Sequence, residues 1–226
     1  MMRLRGKPWA AAEVQDNPLR MAEPEQYKGK WQTVFGNENG ICIEIGCGKG
    51  QFINETARRN PQMNFIAIER EQKIIAMAMK SARSGETLPA NLRFIWGDAQ
   101  KLNEYFADGE LSRVYINFCD PWRNRVKWHK RRLTHHNYLA VYARLSTHGE
   151  LFFKTDSEDL FRFSCRELRE NGWTLRNTTD DLHNSTYAAD NVMTEYETRF
   201  HGMGMPVYRL EAEVQINTLG TPSRTL

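Results

Sequence analysis

The chain has 226 residues, 40% of them apolar and 26% charged, with a formal net charge of +3. That length suits one well-cored domain with extensions and is too short for two ordinary enzyme domains; no apolar run approaches the roughly 20 residues needed to span a bilayer. A basic N-terminus without an apolar core and four cysteines without a C-x-x-C pair predict a cytoplasmic address, with Cys42, Cys47, Cys119 and Cys165 as reduced, semi-buried thiols.

In chain order, residues 1–40 show no sustained hydrophobic period and read as a partly mobile extension. Ile41–Ile45 is strand-like, Gln51–Arg59 helical and Asn64–Glu69 strand-like. Glu71–Ser84 is helical, with Ile74, Ile75, Ala78, Met79 and Ala82 on one face. Leu92–Gly97 and Arg113–Asp120 follow as strands, His135–Leu145 as a helix, Gly149–Thr155 as a strand, and Ser157–Glu170 as a helix that Gly172 stops. Trp173–Asp181 and Val207–Val214 are two further strands, and residues 215–226 read as a disordered tail. Strands separated by helices of this length need right-handed crossovers. The predicted fold is therefore α/β: a doubly wound, mostly parallel, seven-stranded sheet with an antiparallel edge strand, spanning residues 41–214.

The first strand runs into Gly46-Cys-Gly-Lys-Gly50 at a helix start, which lets a ligand approach the backbone closely. The spacing is neither that of a phosphate-binding P-loop nor the dinucleotide G-x-G-x-x-G. Glu44, inside the strand, sits badly with a pyrophosphate and suits a ligand carrying an ammonium and a sulfonium, as S-adenosylmethionine does. Glu69 ends the second strand, where a carboxylate accepts from ribose hydroxyls. Asp98 follows the third, placed to accept from an adenine amino group. Asp120 and Asp156 end the fourth and fifth, so five carboxylates fall along one sheet edge. Taken alone, each is as readily a turn former or a helix cap, Asp156 above all.

Basic character is concentrated: the 29 residues from Pro121 to Gly149 hold seven Lys/Arg and no Asp/Glu. Arg125, Lys127, Trp128, Lys130, Arg131 and Arg132 form a run in which cations hold phosphates while an aromatic stacks on an unpaired base; the alternative is a solvated loop. Asn117-Phe-Cys-Asp120-Pro-Trp122 is similar to the Asn/Asp-Pro-Pro-aromatic motif of amino-methyltransferases but has one proline. Cys119 reads as a core thiol rather than a nucleophile. The histidine spacings give no zinc helix, so no metal is expected.

With Glu44-Ile-Gly-Cys-Gly-Lys-Gly50, Glu69-Arg70, Gly97-Asp98-Ala99, Asp120-Pro-Trp122, Lys130-Arg-Arg-Leu133, Thr155-Asp156 and Thr194-Glu-Tyr-Glu197, the chain resembles the bacterial tRNA (guanine-N7)-methyltransferases from about Ile41 to Glu211. The resemblance implies an S-adenosylmethionine-dependent enzyme that methylates a variable-loop guanosine of tRNA, as a monomer or a homodimer and without a membrane. It implies donor contacts from Glu44, Gly46, Gly48, Glu69, Arg70, Asp98, Ala99 and Asp120, with Asp120 catalytic. Asp156, Thr194, Glu195, Tyr196 and Glu197 would hold the guanosine. The family usually continues Asp-Pro-Trp with Pro-Lys-Lys; here Asn124 aligns with its substrate-binding lysine, and Arg125 or Lys127 are alternatives for that role. Another RNA acceptor, or a catalytically silent RNA-binding subunit, remains the competing reading.

Overall fold

The structure is a computed structural model that describes residues 8–85, 87–122 and 130–214. Seven strands form one sheet: β1 (Ile41–Ile45), β2 (Asn64–Glu69), β3 (Leu92–Trp96), β4 (Leu111–Asn117), β5 (Ser146–Thr155), β6 (Trp173–Thr179) and β7 (Tyr208–Val214). Their order is β3-β2-β1-β4-β5-β7-β6. Strands β1 to β5 pair in parallel, and β7 runs antiparallel between β5 and β6, so the antiparallel pairing lies at that end of the sheet. The order reverses between β1 and β4, and ligands of doubly wound folds bind beyond the strand ends at that switch.

Alternation along the strands divides the core in two. Ile43, Ile45, Ile66, Ile68, Val114 and Ile116 face one side, where α5 (Leu102–Tyr105), α6 (His136–Leu145) and α7 (Glu158–Glu170) supply Leu102, Leu139, Tyr142 and Leu160. Cys42, Phe65, Ala67 and Phe94 face the other, against α3 (Gln51–Arg59) and α4 (Gln72–Ala82). Gly50, at φ +89, leads into α3, and a Cβ there would meet the Ala78 Cβ at 2.8 Å; glycine lets the two helices approach.

Residues 8–40 are built into this domain rather than appended to it. Helix α1 (Pro8–Asp16) packs on α4, and the backbone of Arg20 bridges to Phe94. Trp31, just before α2 (Gln32–Phe35), is 0% exposed and donates from Nε1 to the Tyr105 carbonyl at 2.9 Å. These anchors are single residues without periodicity, so a pattern search passes over them. Residues 215–226, read as a tail, lie outside the described residues. The last helix, α8 (Glu195–His201), precedes β7.

Candidate active site

The ends of β1 to β4 enclose a cleft of about 600 Å³, within the range of small-ligand sites, onto which Gly46, Glu69, Arg70, Asp98, Ala99 and Asp120 all open. Glu69 accepts from the Gly48 N–H at 3.2 Å and, through its other oxygen, from the Glu71 N–H at 3.0 Å, so it fixes the glycine turn while lining the cleft. Asp98 caps the short 3-10 turn after β3 by accepting from the Gln100 N–H at 2.8 Å.

Glu44 does not line the cleft. It is 1% exposed, and its Oε1 accepts from Asn117 Nδ2 at 2.8 Å. Its Oε2 is buried without a hydrogen-bond partner. Burial pushes the carboxyl up to about 8 against the Asn117 hydrogen bond and the Lys154 charge, while Glu195 and Glu69 push it the same way as burial. An orphaned carboxylate oxygen beside a glycine turn fits a cationic group arriving there, which is the donor chemistry of an aminoacyl sulfonium.

Strand β4 stops at Asn117, three residues short of the expected end, because Phe118 takes a left-handed φ of 50°. Trp122 does the same at 46°, so Asp120 sits exposed between two strained residues. Arg131, on the same cleft, lies over the Trp122 ring at 5.0 Å. Burial raises the Cys119 thiol to about 12, and the raised value fits the expected inert thiol.

The acceptor candidates form a second group beside the first. Ser157 caps α7, accepting from the Leu160 N–H, which leaves the Asp156 carboxylate to accept from Tyr196 OH at 3.1 Å. Tyr196 is 42% exposed, with its ring 5.2 Å from Phe118 and 4.2 Å from Phe200. Phe118 also lines the cleft, so its ring joins the two groups. Glu195 is half-buried and accepts from the Gln51 N–H at 3.1 Å.

Thr194 and Glu197 are buried and form a capping box at the start of α8, and Glu197 also accepts from Lys154 Nζ at 2.7 Å. Arg132 is 1% exposed: it donates from Nε to the Pro121 carbonyl, pairs with Asp159 and lies over Phe163 at 4.5 Å. Its fork is consumed inside the protein, whereas Lys130 and Arg131 are exposed. Asn124, Arg125, Lys127 and Trp128 lie outside the described residues.

The sequence reading missed Phe118, Gln51 and Lys154; only Lys154, a cation inside an apolar strand, left a visible signal. It also missed that Glu167 of α7 brings its carboxylate to His135 and His136, the ligating atoms lying within 4.8 Å of one another. The two rings lie 3.9 Å apart between centroids, tilted by 36°.

Solved structures agree on the architecture: the 16S rRNA methyltransferase KamB superposes with a TM-score of 0.61 at 14% identity, covering 82% of this chain and 93% of that one. A family model described as "Putative methyltransferase" matches residues 38–210, which makes the chain a methyltransferase of the doubly wound class. Curated proteins named tRNA (guanine-N(7)-)-methyltransferase match along nearly all of their length. The one from Brevibacillus brevis is 47% identical over 95% of this chain and 100% of its own, and the one from Pediococcus pentosaceus 45% identical over 93% and 99%. The chain belongs to the tRNA (guanine-N7)-methyltransferase family.

Proposed function

We propose that the protein transfers the methyl group of S-adenosylmethionine to N7 of a variable-loop guanosine in tRNA. The observation that carries the reading is the placement of Asp120 on the donor cleft while Phe118, two residues earlier, reaches the Asp156–Tyr196 pair. When bound, S-adenosylmethionine supplies an electrophilic methyl group on a sulfonium. Glu44, Glu69 and Asp98 would hold it, with Gly46 and Ala99 lining the approach.

Guanine N7 presents an in-plane lone pair, so no proton need leave before attack and Asp120 is not required as a base. As the methyl group transfers, positive charge develops on the purine, and its N1–H and amino group become better donors. Carboxylates aimed at them stabilise the transition state more than the ground state. Asp120, helped by Asp156 or Glu197, would answer that charge, and Tyr196 OH donates to Asp156. Extruding the base from the tRNA costs a few kcal/mol, offset by stacking and by phosphate contacts from exposed Lys130 and Arg131.

The test is direct: incubate the protein with unmodified tRNA and methyl-labelled S-adenosylmethionine, digest to nucleosides and identify the labelled product by mass spectrometry. Label in 7-methylguanosine is expected. Label in another nucleoside would discard the acceptor assignment, and no label would discard the activity.

A further inference from the structure

Helix α8 is seven residues long and buries one side chain, the Glu197 carboxylate. Short helices ordinarily keep their place through an apolar face packed on the core. Here polar tethers share that work with the Tyr196 ring, and besides the Asp156 and His183 contacts two residues supply most of them. Lys154 of β5 spends all three Nζ donors on the segment, reaching Glu197 Oε2 at 2.7 Å, the Val192 carbonyl at 2.9 Å and Asn191 Oδ1 at 3.0 Å. Gln51 is the second. It is the first residue of α3, directly after the glycine turn of the donor cleft.

Gln51 meets the acceptor segment three times. Its backbone N–H donates to Glu195 Oε1, and its Nε2 donates to the Met193 carbonyl and to Thr198 Oγ1, each at 3.1 Å. Thr198 passes the link on, donating from Oγ1 to the Thr194 carbonyl at 2.9 Å. The donor turn and the segment carrying Glu195 and Tyr196 therefore share a seam of exposed hydrogen bonds. An element held this way is drawn from the low end of local stability, and whatever orders one side of the seam orders the other.

We propose that Gln51 is a positioning residue that couples the two sites, so that methyl donor and tRNA each tighten the binding of the other. The inference rests on the reading of donor and acceptor sites given above. Coupling of this kind is reciprocal. It also accounts for a glutamine at a helix start that an Ala or Glu would fill as well on propensity alone.

The experiment uses the full chain and S-adenosylhomocysteine, which occupies the donor site without turnover, titrated calorimetrically with and without saturating unmodified tRNA. In the wild type, tRNA is expected to tighten the dissociation constant about 5-fold or more, and in Gln51→Ala, which loses both Nε2 bonds and keeps the backbone N–H to Glu195, to tighten it by less than about 3-fold, each ratio being taken against that variant's own tRNA-free value. Gln51→Lys, which still offers N–H donors towards Met193 and Thr198, should recover part of the ratio. General loosening of the fold would instead weaken the tRNA-free value and lower Tm. A Gln51→Ala ratio equal to that of the wild type overturns the inference. A wild type that methylates tRNA but shows no ratio removes the inference alone, and one that transfers no methyl group removes the assigned function and the inference with it.

Discussion

Arg132 donates from Nε to the carbonyl oxygen of Pro121 at 2.8 Å, so the residue beside Asp120 is held by a buried side chain 11 residues further along the chain. Its neighbour Arg131 is exposed on the cleft. The two arginines should therefore fail differently. Arg132→Met, which keeps the volume and loses the donors, is expected to cost roughly 2 kcal/mol of stability and to depress turnover, leaving the salt dependence of tRNA binding unchanged. Arg131→Ala should weaken binding and lower the slope of log K against log salt by about one. Thermal melts and filter binding at several salt concentrations check both. Identical salt slopes for the two variants would contradict the assignment.

Asp120→Asn preserves shape and removes charge. If the carboxylate answers charge that develops on the purine, kcat should fall roughly 100-fold or more while the dissociation constant for tRNA stays within about three-fold. Single-turnover rates with saturating enzyme separate the two quantities. Equal losses in rate and binding would reduce Asp120 to a binding residue.

The architecture was readable because it depends on period and local spacing. Gln51–Arg59 was bounded to the residue, and the carboxylates at 44, 69, 98, 120 and 156 do fall along one edge. What escaped was whatever the chain decides at long range. Nothing local distinguishes Arg132 from Arg131; one is buried because Asp159 and Phe163 of α7 meet it there. The family resemblance alone pointed to Thr194 and Glu197, whose spacing is also that of a capping box, and the Lys154 partner of Glu197 lies 43 residues away. Gln51 finds partners 142 to 147 residues away, beyond any pattern in the chain.

Glu44 supplies a test of electrostatics. Its folded value of about 8 lies above the ordinary 4.5, so the folded chain keeps a proton that the unfolded chain releases. The associated stability is fully present below the unfolded value and is lost as pH rises through the folded one. The wild type should therefore lose Tm between about pH 5 and about pH 8 relative to Glu44→Gln, which has no proton to lose there. A cation bound beside the ionised form would also expel the proton. Calorimetric titration of S-adenosylmethionine at about pH 7, in two buffers of different ionisation heat, should show proton release from the wild type and none from any residual binding by the variant. Buffer-independent heats in the wild type would count against this account.

Tyr196→Phe removes the hydroxyl that meets Asp156 and keeps the ring beside Phe118 and Phe200. Loss of one such bond is worth about 1 kcal/mol, so KM for tRNA should rise roughly five-fold. Tyr196→Ala should do more, since it also removes the stacking surface. Steady-state kinetics with a tRNA transcript decide it, and a Phe variant as impaired as the Ala variant would shift the role from the ring to the hydroxyl.

Among the described residues, only Phe118, Trp122 and Asn177 carry a side chain on left-handed backbone, and the first two bracket Asp120. At ~1–3 kcal/mol each, residues in such backbone are where robustness and reactivity pull against one another. Directed evolution of this enzyme for heat tolerance alone should drift towards glycine or asparagine at positions 118 and 122 and lose rate as it gains endurance. Selection for rate should instead leave the loop untouched and collect its stabilising changes elsewhere, so the mutational record of such an experiment would reveal which pressure had been applied.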